Sequence, residues 1–287
     1  MKGILLAGGT GSRLWPITLV TSKQLLPVYD KPMIYYPLAT LMLAGVRDIL
    51  IITTPQDQSA FERLLGDGGR FGVKLSYAVQ HKPEGLAQAL VIGKSFLEGD
   101  TCLMILGDNI FHGAGLGHQL QETLPKSGAH IFTYTVSDPS QYGVLTLDSQ
   151  GRPLAIEEKP KEPSSDLAVT GLYFFDERAS EVASRVTPSR RGELEITSVL
   201  NWYLKNNQLT VTQLSRGAAW LDTGNPDSMH EASTYVKVVE DRTGLKIACI
   251  EEIALQKGWI KKEEITAEMY SVTNTYNSYL AKIIQSV

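Results

Sequence analysis

Lys2-Gly3-Ile4-Leu5-Leu6-Ala7-Gly8-Gly9-Thr10-Gly11-Ser12-Arg13, followed by Lys23-Gln24-Leu25-Leu26-Pro27, is the stretch that decides the fold. The apolar run 4–7 is bounded at once by glycines, the pattern of a buried strand that ends in a sharp turn. Gly8, Gly9 and Gly11 carry no Cβ and glycine tolerates positive φ, so backbone N–H groups here can close around an anion. Arg13 follows directly after Ser12, and Lys23 comes ten residues later. Glycine-rich backbone with two cations suits a triphosphate. A Walker A loop needs Gly-x-x-x-x-Gly-Lys-Ser/Thr, which this turn lacks, and a dinucleotide fingerprint needs a third glycine where Leu14 stands.

At 287 residues the chain makes one large domain or a core with an appended piece. A net charge of −4 without a basic cluster argues against nucleic acid or an anionic membrane as partner. Cys102 and Cys249 sit far apart in apolar runs, as buried reduced thiols do, and neither has metal-binding spacing. No signal peptide or membrane-length apolar span is legible, so a cytoplasmic location is expected.

Working outward, the pattern predicts a helix over 31–44 stopped by Gly45 and a strand over 46–53. A helix to residue 65 closed by Gly66 follows, then a strand over 74–79, a helix over 85–97 and a strand over 101–106. This alternation predicts a three-layer α/β fold with a mostly parallel, Rossmann-like sheet, in which ligands bind beyond the carboxyl ends of the strands. Gly8 to Arg13 and Gly107-Asp108-Asn109 both fall at such ends. Strands over 131–136, 144–148, 154–158 and 167–175, joined by short turns, predict an antiparallel layer. Helices over 176–186 and 194–206, a strand over 210–214, a helix over 226–240 and a helical tail from residue 250 complete the chain.

Asp108 and Asp222 each end a predicted strand or turn. Together, beside a triphosphate loop, they suit Mg²⁺, which takes one or two carboxylates plus phosphate oxygens and water. In Ile156-Glu157-Glu158-Lys159-Pro160 the pleat puts Glu158 on the face of Ile156, yet strand ends re-aim side chains, so Glu158 and Lys159 can reach one site. Gln80 can donate and accept at once, which matches the adjacent N3–H and O4 of thymine or uracil. His81, His112 and His118 show no metal or triad spacing and read as loop or surface residues.

The glycine loop, Gly85-Leu-Ala-Gln-Ala, Gly107-Asp-Asn, Tyr142-Gly143-Val144, Glu157-Glu-Lys-Pro160, Val169-Thr-Gly171-Leu-Tyr, Arg191-Gly-Glu-Leu-Glu195 and Trp220-Leu-Asp-Thr-Gly224 occur in that order. The series resembles the sugar-1-phosphate nucleotidyltransferases over nearly the whole chain. The resemblance implies transfer of a thymidylyl group from dTTP to glucose 1-phosphate, giving dTDP-glucose and pyrophosphate, the first step of dTDP-rhamnose-type deoxysugar synthesis. It implies catalytic roles for Arg13, Lys23, Asp108 and Lys159, with Mg²⁺ on Asp108 and Asp222. It places Gly8, Gln80 and Gly85 on the thymine and its nucleoside and Gly143, Glu158, Lys159 and Val169 on the sugar phosphate, and it counts Gly9, Gly11, Ser12, Gln24, Asn109 and Asp222 as substrate-binding with them. A UTP- or ATP-using enzyme of the same fold and a non-catalytic nucleotide-sugar sensor are the alternatives. The resemblance divides the chain into a core over 1–240 (nucleotide part about 1–110, sugar part about 111–224) and a helical segment over 241–287. It further implies a homotetramer with a feedback site near that segment. There Leu255-Gln256 stands where relatives carry an aromatic residue and arginine, and losing the arginine weakens a diphosphate contact.

Overall fold

A computed structural model describes residues 1–123, 125, 127–265 and 274–286; residues 266–273 and 287 of the tail read as helical lie outside the described residues. In chain order the elements begin with β1 (Lys2–Ala7), β2 (Pro27–Val28), β3 (Lys31–Pro32), α1 (Tyr35–Leu43), β4 (Asp48–Thr53) and α2 (Gln58–Leu65). Next come β5 (Lys74–Val79), α3 (Gln88–Ile92), α4 (Lys94–Leu97), β6 (Cys102–Leu106), β7 (Asn109–His112) and α5 (Leu116–Thr123). The second half holds β8 (Ala129–Thr135), β9 (Gly143–Leu147), β10 (Pro153–Glu158), β11 (Leu167–Phe175), α6 (Ala179–Ser184), α7 (Ile196–Lys205) and β12 (Leu209–Gln213). It closes with β13 (Ala219–Asp222), α8 (Pro226–Thr243), α9 (Ile250–Gln256) and α10 (Thr275–Ser286).

A nine-stranded sheet runs β10-β9-β11-β6-β1-β4-β5, with β8 joined to β11 and β12 to β8. Strands β1, β4, β5 and β6 are mutually parallel, and β11 runs antiparallel to β6. The antiparallel strands therefore continue the parallel sheet, because Leu172–Phe175 pair directly with Ile105–Cys102. Side chains alternate across β1: Leu5 and Ala7 join Leu38 and Leu41 of α1 on one face, while Ile4 and Leu6 join Leu90 and Val199 of α3 and α7 on the other. That two-sided burial is the predicted three-layer arrangement.

Local chemistry moves several boundaries. The helix expected from residue 31 starts only at Tyr35, because Lys31-Pro32 pairs with Pro27-Val28 as a small hairpin. The helix expected over 85–97 breaks at Gly93, where a Cβ would sit 2.6 Å from Ile4 Cδ1. Strand β7, its partner β13 and helix α5 were not expected; β7 and β13 are only four residues each, too short for a periodic signal.

Helix α8 positions Asp222 at its entry. Asn225 caps it, its Oδ1 accepting from Ser228 N–H at 3.0 Å while Ser228 Oγ accepts from Asn225 N–H at 3.2 Å. Its far end is tied to the β2–β3 hairpin by buried charges: Lys31 Nζ lies 2.6 Å from Asp30 and 3.1 Å from Glu240, and Lys246 bridges the same two carboxylates. In α9, Leu255 turns inward and Gln256 Nε2 donates to Glu252 at 3.0 Å. No helix among the described residues is long and apolar enough to cross a membrane.

Candidate active site

Because β1 and β6 are parallel neighbours, Gly8 and Gly107-Asp108 leave the sheet at the same edge. A cavity of about 630 Å³ opens there. Gly8, Ser12, Arg13, Lys23 and Gln24 form one wall, Gly143, Glu158, Lys159 and Val169 the opposite one, and Asp108, Asn109 and Asp222 lie between them. A hollow of about 150 Å³ adjoins it, bounded by Gly8, Gly9, Gly11 and Arg13 and reaching Gly224. The residues singled out from sequence thus meet in one place. Gln80 and Gly85 are the two that line neither space, although Gln80 Oε1 lies directly against Gly8.

Gly9 (φ +94°) and Gly11 (φ +59°) adopt the left-handed backbone that the loop requires. Gly8 is needed for space, since a Cβ there would run into Gln80 Oε1. Gln80 itself is buried and oriented, its Nε2 donating to Gln88 Oε1 at 2.6 Å while Gln88 donates to Glu84 Oε2 at 2.7 Å. Gly85 (φ +116°) has a structural cause: a Cβ would sit 2.5 Å from Leu194 N. At that crossing Leu194 N–H donates to Glu84 O at 2.6 Å and Ala87 N–H to Leu194 O at 3.0 Å, fastening the segment before α7 to the segment before α3.

The electrostatics centre on Asp108. Its carboxylate is paired with Lys23 and accepts from Asn109 Nδ2 at 2.9 Å. Burial pushes this carboxyl up, but Lys23 and the hydrogen bonds outweigh it and hold it below the usual range. Strand pairing puts Asp222 opposite Asn109, and Thr223 N–H donates to Asp108 O at 3.1 Å, so the second carboxylate stands beside the first. Asp222 is pushed up to about 6, by burial first and then by the Asp108 charge, against the attraction of Lys23, Arg13 and Lys159. Two carboxylates that resist ionising together form a site short of positive charge. Among the described residues no third His, Cys, Asp or Glu completes a protein-only metal cage. Such a pair fits a hard divalent cation whose remaining ligands are phosphate oxygens and water.

On the opposite wall, Lys159 breaks the strand alternation at φ +43°, with its N–H donating to Tyr142 O at 3.0 Å. That left-handed turn, unfavourable for a side-chain-bearing residue, lets Glu158 and Lys159 line the same cavity. Burial, then the Glu195 charge, pushes Glu158 up. Arg191 answers with three carboxylates at hand: Glu158 at 3.4 Å, Glu193 at 3.1 Å and Glu195 at 3.5 Å.

The sequence reading assigned no role to Tyr142, Arg191, Glu193, Glu195 or Trp220, all of which line the cavity. Each lay inside a matched motif, but an aromatic beside a glycine or a charged turn obeys no spacing rule that reveals its direction. His112 is a correction: it is half-buried in β7 with Nδ1 2.7 Å from Tyr235 Oη, and burial lowers its pKa. No histidine lines the cavity among the described residues, and both cysteines are buried.

Residues 2–238 match the family model for nucleotidyl transferases. The chain is 53% identical over 286 residues to the glucose-1-phosphate thymidylyltransferase of Neisseria gonorrhoeae, covering 99% of each chain. It is 51% identical over 286 residues to the enzyme of that name from Mycobacterium tuberculosis, again with 99% of each chain covered. Among solved structures, a Bacillus anthracis protein in complex with a sucrose is 44% identical, with a TM-score of 0.76 over 82% of this chain and 94% of that one. A UDP-glucose pyrophosphorylase complexed with UDP-glucose, 24% identical, shares the fold with a TM-score of 0.74 over 83% of this chain and 98% of that one.

Proposed function

The chain belongs to the nucleotidyl transferase family, and we propose that within it the protein acts as a glucose-1-phosphate thymidylyltransferase, converting dTTP and glucose 1-phosphate to dTDP-glucose and pyrophosphate. The observation that carries this reading is the single cavity in which Arg13, Lys23 and Lys159 face Asp108 and Asp222, with a glycine loop at one end and the Gly143–Glu158–Val169 wall at the other. Identity above 50% over nearly the full length of the thymidylyltransferases of N. gonorrhoeae and M. tuberculosis supports it.

In this reading the glycine loop, Ser12, Gln24, Arg13 and Lys23 take the triphosphate, and Gln80, its amide already oriented by Gln88, reads the base. Lys159 holds the sugar's phosphate, while Glu158, Gly143 and Val169 meet its hydroxyls. A phosphate monoester is largely a dianion at neutral pH, so the nucleophile needs no general base. One of its oxygens bonds to the α-phosphorus of dTTP as the bond to the bridging oxygen breaks, and pyrophosphate leaves. Asp108 and Asp222 would hold Mg²⁺, which when bound polarises a phosphoryl oxygen and offsets charge on the leaving group. Arg13 and Lys23 supply the rest, by position and charge.

We extend the reading to a catalytic core over 1–240, with its nucleotide side about 1–110 and sugar side about 111–224. Residues 241–287 would then contribute to contacts in a cytoplasmic homotetramer. The direct test is pyrophosphate release from glucose 1-phosphate with dTTP, UTP, ATP, CTP or GTP, each with Mg²⁺ or chelator. We expect metal-dependent release fastest with dTTP and about 10–200-fold slower with UTP, since one methyl group is worth about 1–3 kcal/mol in a pocket. Faster release with UTP or ATP would move the assignment to another member of the family. Silence with every nucleotide would leave a binding protein.

A further inference from the structure

Asn109 stands at the centre of a hydrogen-bond chain that the proposed chemistry does not use. It is 2% exposed, and its Oδ1 accepts two bonds, from Trp220 Nε1 at 2.6 Å and from Gly171 N–H at 3.1 Å. Its Nδ2 donates to Asp108 Oδ1 at 2.9 Å. An indole N–H and a backbone N–H can only donate. Both therefore force the oxygen of the amide toward themselves and the nitrogen toward Asp108. A flipped amide would set donors against donors and an oxygen against a carboxylate.

The fold supplies both donors by specific means. The pairing of β11 with β8 shifts register between Val169 and Tyr173, and within that shift Gly171 turns its N–H to Asn109. A Cβ at Gly171 would lie 2.5 Å from Asn109 Oδ1, so the approach also depends on glycine there. Trp220 is held edge-on by Tyr142, with ring centres 5.0 Å apart, and by Tyr134 at 6.1 Å. Its direction is fixed before any ligand arrives.

We infer that Asn109, locked by Trp220 and Gly171, is a positioning residue that keeps the Asp108 carboxylate in place when Lys23 leaves it for the nucleotide. Among the described residues Asp108 has two side-chain partners, Lys23 on Oδ2 and Asn109 on Oδ1. Lys23 has a second task in the proposed reaction, and Asn109 has none. The inference rests on the reading of Asp108 as a cation-binding residue. Outer-shell partners of this kind cost about 10–100-fold in metal affinity or activity when lost.

The test is a binding measurement made without sugar phosphate, so that no turnover occurs. Calorimetry gives the affinity for dTTP with Mg²⁺ and with chelator, and the ratio is the gain due to the cation. Trp220→Phe keeps the ring against Tyr142 but removes the N–H. Asn109→Ala removes both the acceptor for Trp220 and the donor to Asp108 without setting a further charge beside that carboxylate. Each is expected to cut the cation-dependent gain about tenfold while leaving dTTP affinity in chelator within about twofold. The double variant should lose little more than Asn109→Ala alone, because the two act through one chain. Thermal unfolding of each variant verifies the fold. An undiminished gain in both single variants would overturn the inference, as would an equal loss with and without the cation. A wild-type protein with no Mg²⁺-dependent gain would instead overturn the cation reading of Asp108, and the inference with it.

Discussion

Replacing Arg13 with alanine is expected to lower kcat about 10²–10³-fold while raising KM for dTTP far less. Arg13 is exposed on the loop, and a Cβ at Gly224 would sit 3.0 Å from its Nη2, which places the guanidinium where the small hollow meets the main cavity. A cation there gains most when the pyrophosphate takes on charge as the α-phosphorus bond breaks. Binding the ground state uses only part of that interaction, so the loss falls on kcat. Arg13→Lys should recover only part of it, because a point charge cannot make the two-pronged contact of a guanidinium with phosphate. Steady-state kinetics on both variants is the check. An unchanged kcat with only a raised KM would mean that Arg13 holds substrate and leaving group equally.

Asp222→Asn is expected to lower kcat by about 10²-fold or more and, in the same protein, to raise stability above pH 6. Burial, and then the Asp108 charge, pushes the Asp222 carboxyl up to about 6. A carboxyl whose folded pKa is raised holds its proton in the native state where the unfolded chain has released it. Stability therefore falls as pH rises from about 4 to about 6, then stays lowered, by about 1–3 kcal/mol for a half-buried group. Asparagine removes this cost. Urea unfolding of wild type and variant from pH 4 to pH 8 should show curves that meet near pH 4 and separate by pH 6, with the variant the more stable. Asp108 behaves oppositely: its carboxyl is held low, so its contribution is present above its unfolded pKa and is lost as pH falls through the lower folded value. Equal stability of Asp222→Asn and wild type at pH 7 would mean that neither burial nor the Asp108 charge penalises the ionised Asp222 carboxylate.

Most of the site was legible because its residues sit at strand ends, where an apolar run stops abruptly at glycine or a carboxylate. Gly8 to Arg13 and Gly107-Asp108 belong to that class, and parallel pairing of β1 with β6 brings them together. The direction of a side chain past a strand end was less legible. Lys159 reaches the cavity only through a left-handed backbone turn that alternation does not foresee. Gly85 was read as a nucleoside contact, yet what it visibly accommodates is the backbone of Leu194, 109 residues later in the chain. Asn109 was expected against substrate, and although it lines the cavity its amide is occupied by Asp108, Trp220 and Gly171. Such partners come from β7, β13 and a register shift in β11, none of which leaves a periodic trace. The continuation of the antiparallel strands within the main sheet escaped for a similar reason: pairing of β11 with β6 joins residues about 70 positions apart.

The proposed reaction is a direct displacement: the sugar phosphate itself attacks the α-phosphorus, and the protein contributes position and charge without a nucleophile of its own. The measurement that meets it most directly is the stereochemical course at that phosphorus, followed with dTTP carrying a chiral α-thiophosphate and read by phosphorus NMR of the dTDP-glucose analogue. A single in-line displacement inverts the centre, and inversion is the result expected. Retention would require two displacements through a covalent enzyme intermediate, and would contradict a site whose described cavity offers cations and carboxylates but no histidine-activated nucleophile.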